Sequence, residues 1–380
     1  MIAAGGLPVH VVHDADGLAK VAEACRAAGR VALDTEFMRT RTFHAKAALF
    51  QLCDGQACYL VDPLLVEDLS ALAALLQDTS VTKLMHSCGE DLEVCAHRLG
   101  ALPAPLLDTQ VLAAFTGHGL SVGYQRLVGA ELGVELEKSE TRTDWLQRPL
   151  SVAQLRYAAE DVAFLPRLHD SLETRLSAEP WRAQWAAEEC EAILPRFLAR
   201  SRTNDPAAIG GAWRLRPRAL AALTGLQVWR EREARERDLP RSWVVPDAAL
   251  LRIAESGAAS DGALAAIDEL PESSRRRHGR ALLGAVAAAA ALPEEALPQS
   301  LPAPPGPAET RRVKALRDVV QQRAEALGIA PEMLARRREL EELVRSRDAL
   351  ARGDSPVALL EGWRRAAIGD ELKRLAEAMP

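Results

Sequence analysis

Residues 31–43 read VALDTEFMRTRTF. The apolar opening, Val31, Ala32 and Leu33, is that of a buried strand. Side chains alternate between the faces of a strand, so Asp34 and Glu36 point one way while Leu33, Thr35 and Phe37 point the other. Two carboxylates side by side at the end of a core strand repel one another unless something positive lies between them. A divalent cation meets that need, and an all-oxygen ligand set suits Mg²⁺ or Mn²⁺. The pair alone is weak evidence: with 53 acids in 380 residues, acid-x-acid arises by chance about seven times. A metal centre for phosphoryl chemistry needs more carboxylates, gathered from distant elements.

The surrounding chain predicts how they could gather. HVVHDADGLAKVAEACRAAG runs from a short strand into an amphipathic helix, and ALFQLCDG and ACYLVDP read as two strands around the Asp54-Gly55 turn. Residues 67–78 look helical, VTKLMHS is strand-like, and EDLEVCAHRLG is the helix after it. This order predicts an α/β domain over residues 1–200, with a mixed sheet covered by helices. After about residue 180 only helical patterning remains. A proline-rich stretch at 293–310, PEEALPQSLPAPPGPAET, reads as a linker between helical segments 207–292 and 311–380. Each segment has a helix, a proline-containing loop and a second helix opened by Pro-Asp or Pro-Glu, which suggests two copies of one small module.

Two further carboxylates suit a metal centre. Asp91, in HSCGEDLEVC, stands where a strand gives way to a helix, and an acid in a first helical turn is favoured by the helix dipole in any case. Glu90 is the neighbouring alternative. Asp161, in RYAAEDVAFL, lies one helical turn after Tyr157 on the same face, near apolar residues, where a carboxylate is costly unless paired or metal-bound. Asp108, in LLDTQ, suits a helix N-cap, and His86 a hydrogen-bonded core histidine.

The set D-x-E (Asp34, Glu36), a mid-domain E-D-L (Asp91) and Y-x-x-x-D (Tyr157, Asp161) resembles the DEDD superfamily of 3′→5′ exonucleases in its tyrosine-bearing branch. The wording of LDTEFMRTRTF, HSCGEDLEVC, LLDTQVLAAF, KSETRTDWLQRPL and YAAEDVAFL is similar to the ribonuclease D family. LTGLQVWREREARERDLPRSWVVPDAALLRIAES resembles the HRDC module. The resemblance implies a ribonuclease H-like exonuclease domain followed by two all-α HRDC-type domains. It further implies hydrolysis with two divalent ions, Mg²⁺ or Mn²⁺. Asp34, Glu36 and Asp161 would hold the metal that activates water, with Asp34 shared. Asp91 would support the second metal, and Tyr157 would orient the water. The implied substrates are RNA 3′ ends, of tRNA precursors and other small structured RNAs, cut to nucleoside 5′-monophosphates.

A sequence-tolerant grip on a strand end needs phosphate contacts and base stacking. Lys138, Arg142, Trp145 and Arg148 form a plausible rim, and Phe37 could wedge against the terminal base. Further along, Arg214, Arg216 and Arg218, then Arg275, Arg276, Arg277 and Arg280, then Arg336, Arg337 and Arg338 are usable phosphate contacts, though interleaved with glutamates. Residues 1–200 hold 18 Lys+Arg against 27 Asp+Glu, a net of −9, leaving +3 for the remainder of a chain of net −6. The opening MIAAGGLPVHVV does not read as a signal peptide, and the run from Ala281 to Leu292 is too short to cross a bilayer. Six cysteines without a C-x-x-C pair read as reduced thiols of a cytoplasmic protein, and separately no obligatory protein partner is evident. Two competing readings remain: the same chemistry directed at DNA, and a nuclease fold that has lost catalysis and only binds nucleic acid. Against the second, all four carboxylates and the tyrosine are present.

Overall fold

Seven strands form one mixed sheet: β1 (Ala3–Ala4), β2 (Leu7–Val12), β3 (Arg30–Met38), β4 (Lys46–Cys53), β5 (Cys58–Val61), β6 (Thr82–Met85) and β7 (Leu106–Asp108). They lie in the order β1-β2-β5-β4-β3-β6-β7 in the computed structural model, which describes residues 3–136, 143–202, 204–346 and 357–379. The pairs β2–β5, β3–β6 and β6–β7 are parallel, while β1–β2 and β4–β5 are antiparallel. Asp54 closes the β4–β5 hairpin by accepting the N–H groups of Gln56 and Ala57, with Gly55 at φ 89°. Only glycine adopts that angle without a steric penalty.

Helices cover the sheet: α1 (Ala15–Ala28), α2 (Ser70–Gln77), α3 (Gly89–Arg98), α4 (Thr109–Ala114), α5 (Tyr124–Leu132), α6 (Val152–Ala163), α7 (Leu165–Ser177) and α8 (Pro180–Glu191). Ala32 of β3 and Cys58 and Leu60 of β5 share one core with Ala158, Ala159 and Val162 of α6. By alternation, the β3 face that carries Ala32 also carries Asp34 and Glu36, so the acidic pair lies on the α6 side. α6 is fixed at its start by a capping box, in which Ser151 and Gln154 satisfy each other's backbone N–H groups.

By contacts, the chain divides into two units. One comprises Met1–Met38, Ala47–Phe197 and Pro305–Pro380; the other comprises Arg39–Lys46 and Leu198–Pro304. Helix α9 (Ile193–Arg202) spans the division at Phe197, and the proline-rich stretch is divided at Pro304.

The second unit contains α10 (Pro217–Glu236), α11 (Arg241–Val244), α12 (Asp247–Ser256), α13 (Asp261–Ala265) and α14 (Glu272–Ala290). Its core joins Leu223 and Leu226 of α10, Leu250 and Ile253 of α12, and Leu282 and Val286 of α14. Several of its arginines are already occupied. Arg218 donates to the last carbonyls of α14, while Arg275 and Arg276 pair with Asp261 and Glu272.

Within the first unit, α15 (Pro307–Leu327), α16 (Pro331–Leu334), α17 (Arg337–Arg345) and the terminal helix Asp370–Ala378 share a continuous core with Phe115, Leu172 and Ala186. Glu189 of α8 holds this seam. Its carboxylate accepts from Trp363 Nε1 at 3.0 Å, from Arg196 at 2.8 Å and from Arg364. The Trp363 ring stacks on Trp185 at 4.7 Å.

Candidate active site

Three elements bring the predicted acids together. β3 supplies Asp34 and Glu36, the first turn of α3 supplies Asp91, and α6 supplies Asp161 with Tyr157 one turn before it. Asp91 is delivered by a tight turn after β6, in which Ser87 adopts a left-handed φ of 60°. Asp108 holds that turn by accepting the N–H groups of Ser87 and Cys88, while also capping α4 through the N–H of Gln110. Asp108 therefore holds the turn that leads to Asp91. His86 bridges Thr109 and the carbonyl of Val122, as expected of a structural histidine.

The electrostatics of the cluster are those of crowded carboxylates that repel one another. Asp34 is driven well above the ordinary carboxylate range by burial, then by the charges of Asp91, Asp161 and Glu36. Glu36 is pushed up to about 8 by burial and by Asp161 and Asp91. Asp161 rises to about 8 through burial, although the Tyr157 hydroxyl donates to it and pulls the other way. Asp91 rises to about 7, again through burial first, while the Thr35 hydroxyl donates to its Oδ1 at 2.5 Å. Tyr157 is shifted far above the usual phenol range by burial and these charges. It therefore stays protonated at any working pH, a donor and not a base.

Raised proton affinity has a direct stability consequence. Between about pH 4.5 and pH 8 the folded protein binds more protons at these groups than the unfolded chain does, so this cluster makes stability fall as pH rises through that window. Melting in the presence of a chelator should show lower stability at about pH 8.5 than at about pH 5.5, and a divalent cation should raise the melting temperature more at the higher pH. Equal cation effects at both pH values would contradict the assignment of these carboxylates as the cation site.

A tighter acidic group exists elsewhere. Ligand atoms of His169, Asp170 and Glu173 on α7 lie within 4.8 Å of one another. There Asp170 is already paired, because Arg30 makes two hydrogen bonds to its carboxylate.

The expected substrate rim needs correction. Trp145 is 2% exposed, so its face is closed to a base; it packs instead against Tyr157, with ring centroids 6.0 Å apart. Arg148 is committed as well. It donates to Asp62 from Nε at 2.6 Å and from Nη2 at 2.9 Å, and to the carbonyls of Ala48 and Trp145. Lys138 and Arg142 lie outside the described residues. Phe37 is partly exposed near the end of β3.

Two contributors escaped the sequence reading. Thr35 braces Asp91 from the non-acidic positions of the same strand. Tyr124 donates to the carbonyl of Glu160 at 3.0 Å, steadying the α6 turn that carries Asp161. No local pattern marks Tyr124, because its role depends on how α5 meets α6.

Comparison with known proteins agrees with this geometry. Residues 9–177 match a family model described as 3′-5′ exonuclease, residues 219–286 an HRDC domain, and residues 307–372 the C-terminal HRDC domain of ribonuclease D. Ribonuclease D of Pseudomonas paraeruginosa is 40% identical over 371 residues, covering 97% of both chains. That of Escherichia coli is 40% identical over 374 residues, covering 96% of this chain and 97% of its own. The crystal structure of the Escherichia coli protein superposes with a TM-score of 0.86 at 39% identity, covering 97% of this chain and 99% of that one. The reading of a nuclease fold that has lost its catalysis is thereby set aside. Shared from end to end with these enzymes, in the same domain order, the chain belongs to the ribonuclease D family and is a 3′→5′ exoribonuclease.

Proposed function

We propose that this exoribonuclease trims the 3′ ends of tRNA precursors and other small structured RNAs, releasing nucleoside 5′-monophosphates with the help of two divalent ions, Mg²⁺ or Mn²⁺. The observation that carries the reading is the gathering of four carboxylates whose proton affinities are raised by burial and by one another. Such a donor set fits hard divalent cations. Asp34, Glu36 and Asp161 would hold the cation beside the attacking water, Asp34 would be shared, and Asp91 would support the second cation. Bound there, the cations would supply charge neutralisation and a water of lowered pKa. Tyr157, kept protonated and hydrogen-bonded to Asp161, orients that water, and Trp145 fixes the tyrosine ring. The RNA assignment is supported by the Escherichia coli enzyme, an exoribonuclease involved in structured RNA processing.

In this proposal residues 1–200 form the exonuclease domain, 207–292 and 311–380 the two HRDC-type domains, and 293–310 the linker, in a cytoplasmic protein. No helix among the described residues is long and apolar enough to cross a membrane.

The test offers purified protein a 3′-extended tRNA and a DNA strand of matched sequence, with Mg²⁺, with Mn²⁺ and with a chelator. Stepwise release of 5′-monophosphates from the RNA, abolished by the chelator, is expected. Faster release from the DNA would overturn the substrate assignment. Tyr157→Phe, which keeps the ring and removes the hydroxyl, should lower kcat by about 10–100-fold with cation binding unchanged by calorimetry. An unaltered kcat would remove Tyr157 from the mechanism.

A further inference from the structure

The chain leaves β3 at Met38, two residues after Glu36, and re-enters the sheet at Lys46. The eight residues Arg39–Lys46, the last of them the first of β4, pack as part of the other unit, with Leu198–Pro304. Their docking there is specific. Two guanidinium groups lie over the Phe43 ring, with the Arg235 carbon 4.8 Å and the Arg241 carbon 4.6 Å from its centroid. Both cations are held in place by Glu231, which accepts from Arg235 Nε at 2.9 Å and from Arg241 Nη2 at 3.0 Å. One residue on, the backbone N–H of His44 donates to Asp238 Oδ1 at 2.9 Å. The Thr42 hydroxyl closes the loop on itself by donating to the carbonyl of His44 at 2.6 Å.

Asp238 does two things at once. It follows the C-cap of α10 with φ 50°, a left-handed angle that Asp and Asn tolerate better than other side chains. From that position Leu239 N–H returns to the carbonyl of Ala234, ending the helix. The residue that terminates α10 thus also presents the acceptor that captures the loop.

We infer that Phe43 and Asp238 are positioning residues for catalysis: by anchoring the loop that continues β3, the first helical module keeps the end of that strand, and with it Glu36, in register. An aromatic face that carries two half-exposed guanidinium groups, and a carboxylate that accepts from a backbone N–H, act together against fraying of a strand end. A metal ligand two residues from a loose end would wander, and small misplacements of reacting groups are expensive in rate. The module then serves the reaction even where it touches no RNA. This inference rests on the reading of Asp34 and Glu36 as cation ligands.

The experiment uses the full chain and two readouts. The first is hydrolysis of the p-nitrophenyl ester of uridine 5′-monophosphate, a single nucleotide that makes no demand on an extended RNA surface. The second is Mn²⁺ binding followed by electron paramagnetic resonance. Asp238→Ala and Phe43→Ala should each lower kcat for the ester about tenfold and weaken Mn²⁺ binding about fivefold. Asp238→Asn, which keeps both the left-handed turn and the acceptor, should stay within about twofold of wild type. Phe43→Ala leaves the cap of α10 untouched, so it separates loop capture from helix stability. If both alanine variants bind Mn²⁺ and cleave the ester like wild type, the inference fails, including the case in which only RNA cleavage drops. If Asp34→Asn binds Mn²⁺ as wild type does, the underlying ligand assignment fails instead.

Discussion

Asp34→Asn is expected to lower kcat by about 10³-fold or more and, in the absence of cations, to make the protein more stable at alkaline pH. Both effects have one cause. Asp34 is the acid that feels the charges of Asp91, Asp161 and Glu36 together. Removing its charge deprives a cation of the shared ligand and relieves the repulsion that the other three carboxylates suffer. A pKa unit corresponds to about 1.4 kcal/mol, so relief on the order of 1–3 kcal/mol is reasonable. For a domain of this size that is a rise of several degrees in melting temperature. Calorimetric melting with a chelator at about pH 8.5 measures it. Below about pH 5 the gain should vanish, because the wild-type cluster is then protonated. A variant that melts below wild type at alkaline pH would sink the repulsion account, and one that keeps its activity would sink the catalytic one.

Glu189→Ala is expected to be the most destabilising single change in the helical seam, at roughly 3–5 kcal/mol by denaturant unfolding. Burial alone would raise the Glu189 carboxyl, but hydrogen bonds from Arg364 and Arg196 outweigh it and hold the group down to about 2. The alanine variant leaves Arg364, 8% exposed, without its anion, and deprives the Trp363 indole of its acceptor. Loss of the near-ultraviolet signal of the stacked Trp185 and Trp363 should accompany the loss of stability. Because the folded pKa is depressed, the stabilisation is fully present above about pH 4.5 and fades as pH falls toward 2. An alanine variant that unfolds with the wild-type midpoint would show that the pair contributes nothing net.

The legibility of these features in the sequence follows their range along the chain. Alternation placed Asp34 and Glu36 on one face, and one-turn spacing placed Tyr157 beside Asp161, because both rules act over a few residues. Asp91 was recognisable from the strand-to-helix change before it. The order of strands and helices likewise followed from local patterning. What was misread depended on distant partners. Trp145 and Arg148 have the composition of a nucleic-acid rim, yet Arg148 is taken by Asp62, 86 residues away, and Trp145 by Tyr157. A tryptophan flanked by arginines looks the same in sequence whether the ring turns outward or inward. Nor could the helical pattern of residues 311–380 show that Trp363 and Arg364 settle on Glu189, 174 and 175 residues earlier. The capture of His44 by Asp238, across 194 residues, is invisible to any local rule.

The seam at Glu189 has a consequence for biosynthesis. Helix α8 leaves the ribosome long before its partners in the last part of the chain do. Until they emerge, Trp185 lacks the Trp363 ring that stacks on it and Glu189 has Arg196 but not Arg364, and contacts so far apart in sequence form slowly. Residues around Trp363 and Arg364 therefore complete a core begun by far earlier parts of the chain, and a chain that stopped before them would carry every proposed catalytic residue and an unfinished fold.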